Sequence, residues 1–148
     1  MIDLFPIEQK INMIGANPDT IYIFKNSEHG NNAPEHYHIS IPISDENSLL
    51  LVLTTSQTEK KKKHYRLRED LRNGLIEFNI GDLEFITKKC LIDCNKPLFE
   101  SKEKLKSIIL NEEIKFIHEI IAPELIQSIK DKIKNSPLVK PNIKKVII

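Results

Sequence analysis

The sequence predicts an α+β fold: a small, bent antiparallel β-sheet or β-barrel with helices of the C-terminal third packed on it. Three observations carry this. Short β-branched and apolar runs, separated by Gly, Pro, Asn and Asp, fill the first two thirds of the chain, the pattern of strands and turns. After Asn95-Lys96-Pro97 the apolar residues recur every three or four positions, the period of amphipathic helices. A length of 148 residues suits a single domain, 1–148, with 19–95 as its β-barrel part and 96–148 as a helical extension.

In chain order, Leu4, Ile7, Ile11 and Ile14 are spaced for a short helix that accepts Pro6 in its first turn. Gly15 to Asp19 breaks it, and Thr20-Ile21-Tyr22-Ile23-Phe24 reads as a strand. Residues 26–35 read as a polar loop. His36 to Ile43 alternates, with Tyr37, Ile39, Ile41 and Ile43 on one face and His36, His38 and Ser40 on the other. Pro42 puts this strand at an edge or near its end. Asp45 to Ser48 turns the chain into Leu49-Leu50-Leu51-Val52-Leu53-Thr54-Thr55, a strand buried on both faces and the hairpin partner of 36–43. Residues 56–73 read as a basic loop, and Leu75 to Ile80 and Cys90 to Asp93 as further strands. Ser101 starts a helix carrying Leu105, Ile108 and Ile109. Ile114, Ile117, Ile120 and Ile121 continue in a second. Pro123 opens a third, in which Leu125, Ile126, Ile129 and Ile133 line one face to Asn135. Pro137 and Pro141 break the tail.

Lys and Arg number 22 against 21 Asp and Glu, a net charge of +1, so nucleic acid is not bound through bulk charge and any such binding needs a local patch. No apolar run approaches the ~18 residues of a membrane span. Met1 to Pro6 has no basic region ahead of an apolar core. The expectation is a cytoplasmic protein that does not enter the membrane. Cys90 and Cys94 stand four apart, about 13 Å on a strand and too far for a disulfide. They read as reduced thiols. One C-x3-C also lacks the second ligand pair of a zinc site, so neither metal nor cofactor is expected.

The chemistry-bearing residues gather in three places. His36 and His38 share one face of a strand at a loop exit, where imidazoles can move protons near neutral pH. The plain alternative is a solvated polar face. His29 in the preceding loop and His118 on a helix read as surface or packing residues. Thr54-Thr55-Ser56 ends the most apolar strand with hydroxyls that can hold phosphate oxygens. Lys60-Lys61-Lys62-Lys63-His64-Tyr65-Arg66-Leu67-Arg68 is the cationic segment that the net charge conceals. Its lysines and arginines can follow a phosphate backbone, and Tyr65 can stack a base. His38-Ile39-Ser40-Ile41 also fits the H-Φ-[S/T]-Φ pattern of the two-histidine phosphoesterases, which need a second copy. His64-Tyr65-Arg66-Leu67 and His118-Glu119-Ile120-Ile121 lack its hydroxyl.

The order of these pieces resembles the PemK/MazF-like toxin family over roughly residues 19–100. The shared features are a strand, a polar loop, a strand opened by a polar pair at His36, and a strand ending in Thr55-Ser56. The later run Gly81-Asp82-Leu83-Glu84-Phe85-Ile86 and the short strand Cys90-Leu91-Ile92-Asp93 follow in the family's order. Thr55-Ser56 matches the family's Thr-Ser, and His36 stands where the family has Arg. The resemblance implies an SH3-like barrel, a homodimer, a cognate antitoxin partner, and metal-independent cleavage of single-stranded RNA. His36 and His38 would then serve as acid and base, Thr55 and Ser56 would contact phosphate, and Lys61, Lys62, Lys63, Tyr65, Arg66 and Arg68 would bind RNA. The other reading is a non-catalytic barrel that binds protein or RNA through the same rim.

Overall fold

The computed structural model describes residues 6–16, 21–24, 36–109, 114–117 and 121–148. In chain order these form α1 (Ile7–Ala16), β1 (Ile21–Phe24), β2 (His36–Ile41), β3 (Ser48–Thr55), α2 (Thr58–His64), α3 (Glu69–Arg72) and β4 (Leu75–Phe78). Then come β5 (Cys90–Asp93), β6 (Leu98–Ser101), α4 (Lys102–Ile108), β7 (Lys115–Ile117), α5 (Pro123–Asn135) and α6 (Pro141–Lys144).

The spine is β3, whose eight residues reach about 27 Å. Along one edge, Leu50 to Leu53 pair with β2. Along the other edge two short strands share its length: Ser48 to Leu51 pair with β6, and Thr54 and Thr55 pair with β5. The sheet continues through β2 to β1 and β7 on one side, and through β5 to β4 on the other, with every pairing antiparallel. The β2–β3 turn is closed by the Asn47 amide donating to the Asp45 carboxylate at 2.9 Å. Gly81, at φ 91°, lets the Asn79–Asp82 turn reverse after β4, and the Asn79 amide donates to the Asp82 carboxylate at 2.7 Å.

Helices cover both faces of this sheet. Ile21, Ile39, Leu50, Val52 and Ile92 meet Ile126, Ile129 and Ile133 of α5, together with Val139 and Ile147 of the tail. On the opposite face Tyr22, Leu49 and Leu51 meet Ile7, Ile11 and Ile14 of α1 and Leu105 of α4. The result is a three-layer arrangement with the sheet in the middle. Two of the helices have clear local support: Pro123 at the first turn of α5 and Lys132 and Lys134 in its last turn suit its dipole. The Ser101 hydroxyl accepts the Lys104 amide at 3.1 Å to cap α4.

This architecture corrects the barrel expectation. Among the described residues β4 and β7 are the two ends of the strand order and do not pair with each other, so the sheet is open and not a closed SH3-like barrel. The physical reason lies in β3. A barrel strand sends one face to the interior and the other to solvent, whereas Leu49, Leu50, Leu51 and Val52 are all buried because helices lie on both sides. The PemK/MazF-like resemblance falls with the barrel it implied. Two further differences concern the last third. Residues 115–117, expected in a helix, pair with β1, with Ile117 opposite Ile21. Leu98–Ser101 is also a strand, so this part of the chain completes the sheet as well as covering it. Pro42 follows β2, an interior strand, and its carbonyl accepts the Ile148 amide at 3.2 Å.

Candidate nucleic-acid interface

The lysine run forms α2 rather than a loop. Lysine is a good helix former, and Glu59 in the first turn with lysines and His64 in the last complement the helix dipole. Repulsion is relieved by carboxylates from the neighbouring strands. Lys61 bonds to Asp93 of β5 at 3.0 Å, and Lys62 forms an ion pair with Glu77 of β4. The Glu77 carboxylate raises the Lys62 ammonium above its ordinary pKa. Lys60 and Lys63 remain exposed on the outer side of the helix.

Asp93 organises the ground beneath α2. Its Oδ2 accepts from Lys61 Nζ and, at 2.8 Å, from the Tyr65 hydroxyl. Its Oδ1 accepts the Asn95 amide at 3.0 Å and the Asn95 side-chain Nδ2 at 3.1 Å. Asn95 Nδ2 also donates to the Leu71 carbonyl at 2.7 Å, and its Oδ1 accepts the Ser136 hydroxyl at 2.7 Å. One buried polar chain therefore runs from α2 through β5 to the residue that ends α5. Gly74 makes room for it: a Cβ there would lie 2.6 Å from Asn95 Oδ1. Burial first, and then the Asp93 carboxylate, push the Tyr65 phenol far above its usual pKa, so it stays a hydrogen-bond donor.

Three clefts surround the C-terminal end of β3. The first, about 420 Å³, is lined by His36, Leu53, Thr55, Gln57, Lys61, Asp93 and Lys96. It continues into a second of about 500 Å³ along α2, where Lys60, Lys63 and His64 join Gln57, Lys61 and Lys96. The third, about 260 Å³, lies on the other side of the strand end and takes in His36, Tyr37, Thr54, Ser56 and Phe85. His36 lines both the first and the third. Its Nδ1–H donates to the Thr54 carbonyl at 3.1 Å, which makes Nε2 the basic nitrogen of the neutral ring.

The structure brings some of the expected site residues together and separates others. His36, Thr55 and Lys61 share the first cleft. Ser56, in the bend that follows β3, lines the third cleft instead. His38 is fully buried, on the sheet face that α1 covers, with its Nδ1–H donating to the His36 carbonyl at 2.9 Å. Tyr65 is 2% exposed and presents no face on which a base could stack. Arg68 is held by Asp70 in a two-point ion pair that lowers the Asp70 pKa. Arg66 is exposed, and its carbonyl accepts from the Arg72 guanidinium. Lys62 is tied to Glu77 and Lys63 stands on the second cleft. Lys60 belongs to the cationic segment expected from the sequence, whereas Gln57, Asp93 and Lys96 carry no such expectation. The Asp93-Cys94-Asn95 run at the end of a short apolar strand carried a usable signal, since Asp and Asn at that position favour side-chain-to-backbone turns. His29 and His118 lie outside the described residues, as does the loop at 26–35. His64 is exposed on α2 whereas His38 is closed in beneath α1, which removes the pairing that a two-histidine phosphoesterase would need from these two.

Among the described residues no group of three or more His, Cys, Asp or Glu side chains is placed to hold a metal ion. Cys90 and Cys94 are free and buried. No helix among the described residues is long and apolar enough to cross a membrane. Comparison of the chain with family models, with curated proteins and with solved structures finds no match.

Proposed function

We propose that this protein binds single-stranded RNA through the continuous cationic cleft between β3 and α2. The observation that carries the reading is the joining of two clefts through Gln57, Lys61 and Lys96, with Lys60 and Lys63 along the outer rim. Lys60, Lys63 and Lys96 are exposed, and no ion pair engages them among the described residues. Cations held on a short rigid helix meet successive phosphates at low entropic cost. Thr55 adds a hydroxyl to the same floor. The antitoxin and the homodimer followed from the overturned resemblance and form no part of this reading.

Binding of a fluorescent single-stranded RNA to the purified protein tests it. The double variant Lys60→Ala, Lys63→Ala is expected to weaken binding about tenfold whatever the RNA sequence. An affinity left unchanged by that variant, or no RNA binding by the wild type, overturns the proposal.

A second reading, metal-independent cleavage of the bound strand, draws support from His36 alone. Its Nε2 is the basic nitrogen, and the ring lines the cationic cleft. A base there would take the ribose 2′ proton as the 2′ oxygen bonds to phosphorus and the P–O5′ bond breaks, and the imidazolium or water would give a proton to the departing oxygen, leaving a 2′,3′-cyclic phosphate and a 5′-hydroxyl. Cleavage that persists in EDTA and is lost in His36→Ala supports this reading. Intact RNA after prolonged incubation leaves binding as the function.

A further inference from the structure

The cleft on the other side of His36 differs in kind from the cationic one. Tyr37 and Phe85 meet there with ring centroids 4.6 Å apart and planes tilted by 47°, both half-buried. Around them stand the exposed Ser56, Thr87 and Lys88, with the buried Thr54 at the wall. Its volume, about 260 Å³, falls below the roughly 300–1,000 Å³ of sites for drug-sized molecules and suits one planar ring system.

We infer that this cleft is a nucleobase subsite, in which a base of the bound strand lies against the Tyr37–Phe85 pair while its phosphate sits in the cationic cleft across His36. The inference rests on the RNA-binding reading and names what the strand presents to each side of the β3 end. A nucleotide offers an anionic group and a planar aromatic group joined through one sugar, and so needs a cationic site and an aromatic site as neighbours. His36 is the shared wall of two such sites. Aromatic side chains stack on any base. Hydroxyls both donate and accept, so the exposed Ser56 and Thr87 can meet either kind of base edge. The subsite therefore favours a base over no base more than it favours one base over another.

The experiment compares an octamer of oligouridylate with an abasic phosphodiester octamer of the same length and charge, by fluorescence anisotropy with the wild-type protein. The abasic strand is expected to bind about tenfold more weakly, the loss of one good stacking contact. Phe85→Leu, which keeps an apolar side chain against Tyr37, is expected to bring oligouridylate to the abasic level and leave the abasic affinity unchanged. Equal affinity of the wild type for the two strands overturns the subsite while the phosphate-binding reading stands. Equal weakening of both strands by Phe85→Leu overturns it too. If neither strand binds, the RNA reading falls and the subsite with it. The wild-type comparison decides the matter even if the variant does not fold.

Discussion

At the scale of single residues, burial decides which polar groups near the cleft can react. Cys94 sits between Asp93 and Asn95 and is 0% exposed. Burial, reinforced by the Asp93 carboxylate, pushes its thiol up to about 12, and burial followed by Asp82 also raises Cys90. Since the thiolate is the nucleophile, both cysteines are expected to resist a thiol-specific reagent at pH 8 in the folded protein and to react once urea unfolds it. Rapid labelling of both in the native protein would contradict this. The same shift sets an alkaline limit. Between about 9, where an unfolded thiol ionises, and about 12, the folded state holds a proton that the unfolded state has lost, so stability falls as pH rises. Tyr65, raised above the ordinary phenol value of 10.0, adds to the loss in the upper part of that range, and below pH 9 neither group contributes a slope. Urea midpoints measured from pH 8 to pH 11 are expected to stay level and then decline.

At the scale of elements, α5 joins two kinds of support. Ile126, Ile129 and Ile133 bury its apolar face on the sheet, and Ser136 ties its end to Asn95. Removing most of the fully buried Ile129 side chain leaves a cavity, so Ile129→Ala is expected to cost about 2–5 kcal/mol. Ser136→Ala leaves the Asn95 oxygen without its donor and is expected to cost about 1–3 kcal/mol. Urea titrations rank the two, and a larger loss from Ser136→Ala would place the polar chain above the packing. This helix was fully legible in the sequence, because Pro123 and the isoleucine period mark both its start and its buried face. The β2–β3 hairpin was legible for the same kind of reason, in its alternation and its turn. The shape of α2 was not: four lysines carry no apolar period, and the partners that hold them are Asp93, 32 residues away, and Glu77 on another strand. Strand β7 was hidden because Ile114 and Ile117 fit a helical step as well as a strand edge. The openness of the sheet was implicit in Leu49 to Val52, whose unbroken apolar run already required cover on both faces. At the site, the sequence pointed to the basic segment and to His36 and Thr55. It missed the separation of Ser56 from Thr55 and the burial of His38 and Tyr65, which depend on where α1 and α2 settle.

At the scale of the whole molecule, a net charge of +1 means that no long-range field draws an anionic strand toward the protein. Attraction of the proposed strand would be confined to the cleft, whose rim carries the exposed Lys60, Lys63 and Lys96. Lys61 and Lys62 contribute less, because Asp93 and Glu77 already neutralise them. With three phosphates neutralised, the slope of log affinity against log salt is expected to be about −2 for a single strand. Raising salt from about 50 to 200 mM then weakens RNA binding roughly 20-fold. In Lys60→Ala, Lys63→Ala the slope is expected to fall to about −0.7, the value for one remaining contact. Three RNA titrations at different salt concentrations, repeated on the variant, measure both slopes. A wild-type slope near zero would mean that the strand is held without its phosphates. A slope unchanged in the variant would put the phosphate contacts outside α2.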